Sequence, residues 1–289
     1  GAIGELLAQP FIAERFAGDS KVAAQTYVEA IRSAFGRGLE ELAWMDDATR
    51  AEAERKLQAV AFLIGYPPKW KDYDFAVDGL YATNALAARS GAVLETLSRI
   101  GQPVDRDRWF MTPPTVNAYY SPLRNQMVFP AGILQPPFYS VDAGVAVNLG
   151  AMGMVVGHEL THGFDDKGSK FDADGNLSGW WADEVRRDFD ALTQCVVDQY
   201  ASYEPIEGLN VNGELTLGEN IADIGGLDLA FVAYRALREG KTPVVAEGFS
   251  EDQQFFLANA QVWCAKMRPA EAELRLKTDP HSPPRYRVN

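Results

Sequence analysis

The chain has 289 residues, 47% hydrophobic and 23% charged, which is ample for a buried core and excludes a disordered segment. Lys plus Arg number 27 against 40 Asp plus Glu, a formal net charge of -13. That balance excludes nucleic acid as a partner, because phosphate binding needs clustered cations. The longest apolar run, Ala143 to Gly157, is broken by Asn148 and falls short of the roughly 20 residues of a membrane span, so it reads as a buried helix.

The amino end, Gly1-Ala2-Ile3-Gly4, has no initiator Met, no basic stretch and no cleavage pattern, so a leader has been removed or the chain starts in mid-protein. A first helix starts near Asp19-Ser20, with Ala24, Tyr27, Val28, Ile31, Ala34 and Phe35 at three- and four-residue spacing. A second begins after Asp46, carries Leu57, Val60, Ala61 and Ile64 on one face, and stops at Gly65. A third spans roughly Asp78 to Ile100. Val116–Tyr120 and Gln126–Pro130 then read as short strands about a Ser121–Asn125 turn, and the flanking prolines suggest edge positions. Further helices follow at Ala143–Phe164, Trp180–Tyr203 and Leu217–Leu237, with a last one at Glu251–Lys266. The expected fold is mainly helical with one small β-sheet.

The strongest chemical signal is His158-Glu159-Leu160-Thr161-His162, inside the apolar helical run. At i and i+4 the two imidazoles share one helix face and can reach one metal ion. Glu159 is rotated about 100° from His158, so it can face a water at the metal's open position without competing as a ligand. Two of the three histidines in the chain are used here. The plainer alternative is a pair of satisfied histidines on a buried helix.

A catalytic zinc takes three protein ligands and keeps one position open. The metzincin continuation would need Gly at Asp165 and His at Gly168, so that class is excluded. A carboxylate from elsewhere is the obvious third ligand. Gly218-Glu219-Asn220-Ile221-Ala222-Asp223 places two acids one helical turn apart: Glu219 could bind zinc while Asp223 holds the outer nitrogen of an imidazole. Paired acids on helices are more often a solvated face, so spacing alone leaves both readings open. Asp172-Ala173-Asp174-Gly175-Asn176 resembles a calcium loop, but the sixth position holds Leu177 and the twelfth Asp183, which leaves an Asp-Gly turn. Two cysteines, Cys195 and Cys264, define neither a disulfide framework nor a thiolate metal site.

Together, Val116–Tyr120, Val128–Phe138, Gly157–Asp166, Gly218–Asp223, Ala260-Gln261-Val262-Trp263-Cys264 and Asp279-Pro280-His281-Ser282-Pro283 resemble the neprilysin and endothelin-converting enzyme family, in the family's order and over most of the chain. The resemblance implies a thermolysin-like zincin (gluzincin) catalytic domain and one Zn2+ ion held by His158, His162 and Glu219. It implies Glu159 as general base, Asp223 as orienting carboxylate, His281 as oxyanion stabiliser and Arg287 as the group that grips the substrate backbone. Without it, His281 reads as a loop histidine between prolines.

The same resemblance implies that Asn117 and Ala118 hold peptide by main-chain hydrogen bonds, and that Ile133, Phe138, Met154, Val155, Val262 and Trp263 form the pocket for the residue after the scissile bond. Ordinary core packing is the alternative for each of these six. The implied activity is endopeptidase cleavage of peptides on the amino side of apolar residues, in an extracytoplasmic setting. Rivals are a gluzincin of other specificity, such as an aminopeptidase, and a non-catalytic zinc- or peptide-binding module. Residues 1–110 would be a helical region leading to an absent amino-terminal lid, and 111–289 a catalytic domain lacking its carboxy-terminal end. Cys195 and Cys264 would then pair outside the segment, early helices would expose apolar faces, and Arg287, near the terminus, would be poorly held.

Overall fold

The computed structural model describes residues 4–16, 18, 20–73, 75 and 79–288. Helix α1 (Gly4–Arg15) precedes α2 (Ser20–Glu41) and α3 (Asp47–Ala59). Asp46 caps α3, its side chain accepting from Thr49 N at 2.7 Å. The expected helix starts at Asp19 and Asp78 lie outside the described residues.

The second helix is shorter than its apolar pattern suggests. After Ala59 the chain becomes strand β1 (Ala61–Gly65), which pairs in parallel with β3 (Gln126–Pro130). Val60, Ala61 and Ile64 fit both helical and strand spacing, and a five-residue apolar run cannot separate the two. The other neighbour of β3 is β2 (Tyr119–Ser121), antiparallel, in the order β1-β3-β2. Strand β3 is therefore central, contrary to the edge position its proline suggests. Pro130 is the last residue of the strand, and Ala131 N donates to Gly65 O in its place at 2.8 Å. Strand β2 starts three residues later than expected. Continuing its register would set Asn117 opposite Pro130, which has no N–H to give.

Helix α4 (Tyr81–Ser98) buries only Ala88 and presents Leu86, Val93, Leu94 and Leu97 outward. The long helix that follows is not uniform: α5 (Val145–Asn148) passes through a π-helical turn, Leu149–Gly153, into α6 (Met154–Thr161). Helices α7 (Asp183–Ala201), α8 (Leu217–Arg238) and α9 (Glu251–Val262) come next. A further helix, α10 (Pro269–Thr278), was not expected: the helical run stops at Val262, and Pro269 opens a new helix at its first turn. No helix among the described residues is long and apolar enough to cross a membrane.

One core joins α2, α3, β1, β3 and α6 through Ile31, Leu57, Ile64, Phe129 and Leu160. A smaller cluster of Tyr200, Val211, Leu276 and Tyr286 pins the tail, with Tyr203 stacked on Tyr286 at 4.6 Å.

Candidate metal centre

Every residue of α6 is buried, His158 included, and His162 follows as its half-buried C-cap. Helix α8 lies against α6 closely enough that only glycine fits between them. A Cβ on Gly157 would sit 2.5 Å from Gly226 O, and one on Gly226 would sit 2.5 Å from His158 N. This contact carries the first turns of α8 to the imidazoles. His158, His162 and Glu219 then offer three ligand atoms within 4.8 Å of one another.

The outer nitrogens are both engaged. His158 Nδ1 meets Asp223 Oδ1 at 2.8 Å, and His162 Nδ1 meets Asp165 Oδ2 at 2.7 Å. With Nδ1–H donated to a carboxylate on each ring, both Nε2 atoms turn lone pairs inward, 3.0 Å apart. Glu219 Oε2 lies 3.3 Å from His158 Nε2 and 3.5 Å from His162 Nε2, yet it is buried without a hydrogen bond of good geometry. Three electron-rich atoms thus converge on a point that calls for positive charge. The titration behaviour agrees: burial opposes a charged His162, but Asp165 and Glu219 outweigh it and lift its pKa to about 10. Glu219 is moved the other way; burial would raise it, and the imidazoles hold it well below the usual carboxylate range. The donor set of two imidazoles and one carboxylate fits zinc with an open position.

Glu159 is buried on the same helix, and burial pushes its pKa up against the pull of the two histidines. His281 enters from the tail. Its Nε2 is 3.1 Å from Glu219 Oε2, while Asp279 Oδ1 holds Nδ1 at 2.8 Å and accepts from the His281 main-chain N at 3.0 Å. Arg287 is firmly held, contrary to expectation. Its Nε and Nη2 each bond Asp223 at 2.6 Å, and its guanidinium stacks on Trp263 at 3.8 Å. Proximity to a terminus does not loosen a side chain with a buried counter-ion, and the tyrosine cluster fixes the backbone beside it.

Asn117, Trp263, His281 and Arg287 line one cavity of about 760 Å³. The structure does not bring all six expected pocket residues to it. Ile133, Met154 and Val155 belong to the core, Phe138 packs against it, and Val262 is half-buried. Asn117 is exposed and Ala118 buried, both just ahead of edge strand β2. Cys195 and Cys264 are free and exposed.

Two carboxylates in the site were not expected. Asp165 and Asp279 each orient a histidine, and the available signal was an acid three residues after His162 and another two residues before His281. Asp165 is also fixed from its own loop, its Oδ1 accepting from Lys167 N at 2.8 Å and Gly168 N at 2.6 Å.

A family model described as peptidase family M13 matches residues 117–289, and a second with the same description matches residues 1–67. An endothelin-converting enzyme homolog of Locusta migratoria is 45% identical over 299 residues, covering 99% of this chain and 41% of that protein. Human endothelin-converting enzyme 1 is 45% identical over 300 residues, covering 99% and 39%. The crystal structure of the Mycobacterium tuberculosis zinc metalloprotease Zmp1 with an inhibitor superposes with a TM-score of 0.92 at 42% identity, covering 99% of this chain and 44% of that one. The chain therefore spans about two fifths of the length of the curated relatives it matches.

Proposed function

The chain belongs to peptidase family M13, and from that premise we propose that it carries the catalytic centre of a zinc-dependent endopeptidase. One observation carries the reading: His158, His162 and Glu219 converge within 4.8 Å, with Glu159 buried on the same helix. A single zinc ion, when bound, supplies a Lewis acid that acidifies a water and polarises the scissile carbonyl. His158, His162 and Glu219 would hold it, and Asp223 and Asp165 fix the two rings.

The Glu159 carboxylate takes the proton of the attacking water and passes it to the leaving amine nitrogen. Its raised pKa brings it closer to the neutral range, where a base of this kind works best. His281, whose pKa Glu219 raises, carries a proton on both ring nitrogens; Nδ1–H goes to Asp279 and Nε2–H is donated to the developing oxyanion. Asn117 and Ala118, ahead of β2, pair with an extended peptide along the sheet edge. Arg287 keeps one nitrogen, Nη1, outside its pair with Asp223 for a substrate carbonyl.

Cleavage on the amino side of an apolar residue is the finer part of the proposal, supported by Trp263 in the cavity wall. The remaining length of the protein, an extracytoplasmic location and a division near residues 110 and 111 are carried on the family resemblance. The test is digestion of short peptides by the full-length protein, with chelator and then with zinc restored, and products read by mass. Internal cuts before apolar residues, lost with chelator and regained with zinc, are expected. Chelator-resistant cleavage, release of single amino-terminal residues only, or zinc binding without cleavage would overturn it.

A further inference from the structure

We propose that Lys56, on α3, is a positioning residue for the His162 side of the metal centre; the proposal rests on the zinc reading above. Lys56 is completely buried, and its ammonium is saturated by three main-chain carbonyls: Gly163 O at 2.5 Å, Gly168 O at 2.8 Å and Phe171 O at 2.7 Å. An ammonium has three donors, so none is left over.

All three acceptors belong to the loop that leaves α6 at His162. Gly163 is its first residue, and the staple closes it at both ends. The loop is folded so tightly that a Cβ on Gly168 would lie 1.7 Å from His162 O. Within it, Gly168 N and Lys167 N fix one oxygen of Asp165, and the other oxygen holds His162 Nδ1. Lys56 therefore acts on the ligand through the loop and the carboxylate, without touching His162.

The lysine is itself braced. Asn125, buried and in the left-handed region at φ 45, donates Nδ2 to Lys56 O at 2.9 Å and accepts from the Tyr120 hydroxyl at 2.9 Å. Phe164 and Trp180 turn ring faces toward the ammonium at 5.3 and 5.7 Å. Burial lowers the Lys56 pKa to about 7, and Asp165 and Asp172 supply opposing charge that limits the fall. A side chain needed only to fill this space would be apolar. Methionine matches the volume but leaves buried Gly163 O without its donor, while Gly168 O and Phe171 O keep only the bonds from Phe171 N and Trp180 Nε1.

The experiment measures zinc dissociation constants by chelator competition in the full-length protein, for wild type, Lys56→Met, Asp165→Asn and the double variant. Lys56→Met is expected to weaken zinc binding about ten- to a hundred-fold, the usual cost of losing support behind a ligand. Because both residues act through the same imidazole, the double variant should bind scarcely worse than the weaker single one. Lys56→Arg, which keeps charge and donors, should recover part of the affinity. Thermal unfolding of the metal-free forms identifies misfolding; if the methionine variant does not fold, Lys56→Gln replaces it in the cycle. Wild-type zinc affinity in a folded variant, or losses that simply multiply in the double variant, would overturn the proposal. A wild-type protein that binds no zinc would instead overturn the metal-centre reading.

Discussion

The two imidazoles of the centre receive the same local chemistry from different sources. His158 is oriented by Asp223, 65 residues away on α8, whose carboxylate is gripped in turn by Arg287 from the tail. His162 is oriented by Asp165, three residues on, whose carboxylate is gripped by main-chain N–H groups of its own loop. One side depends on tertiary closure of α6, α8 and the carboxy-terminal segment. The other is a turn, secured from behind by Lys56. The first side is thus open to disturbance from the carboxy-terminal segment, and the second from its own loop and from Lys56 behind it.

The largest effect is expected where the two sides meet. Glu219→Ala removes the one ligand that approaches both imidazoles, and zinc content by atomic absorption should fall to near zero; retained stoichiometric zinc contradicts the ligand assignment. Next, Gly226→Leu forces α8 away from α6 at His158 N. Overpacking of this kind costs about 1–3 kcal/mol, so denaturant unfolding should show that loss together with weaker zinc binding. Unchanged stability would mean that the helices have slack at this contact.

The two orienting acids divide the sides directly. Asp223→Asn and Asp165→Asn should each weaken zinc binding about ten- to a hundred-fold. Asp223→Asn also breaks the direct, buried pair with Arg287, so it should lower stability more than Asp165→Asn, by on the order of 3 kcal/mol. Equal thermal midpoints for the two variants would erase the distinction. The smallest effect belongs to Ser250→Ala, which removes the capping box of α9 far from both sides. It should cost about 1 kcal/mol of stability and leave zinc affinity alone.

Much of this was legible in the sequence, for reasons that differ by residue. Helical spacing alone puts His158 and His162 on one face with Glu159 turned about 100° from His158, and Glu219 and Asp223 on one face of another helix. That the groups meet depends on Gly157 and Gly226, whose pairing across 69 positions leaves no periodic trace. Strand β1 was hidden because its apolar residues continue the face of α3, and only its parallel partner β3 distinguishes the two. The π-helical turn at Leu149–Gly153 is equally silent. Gly150 has no room for a Cβ against Phe255 O on α9, a constraint that exists only after folding. Lys56 looks like any surface lysine on a helix until the loop after His162 closes over it, and Arg287 looks frayed until Asp223 is placed beneath it.

In the proposed mechanism Glu159 moves the proton while His158, His162 and Glu219 hold the zinc. Glu159→Gln in the full-length protein tests it most directly, with zinc content and peptide turnover measured on the same preparation. The amide keeps the shape and cannot accept the water proton, so one zinc per chain is expected, with turnover lower by a factor on the order of 10²–10⁴ or more. Near-normal turnover with zinc bound would contradict it.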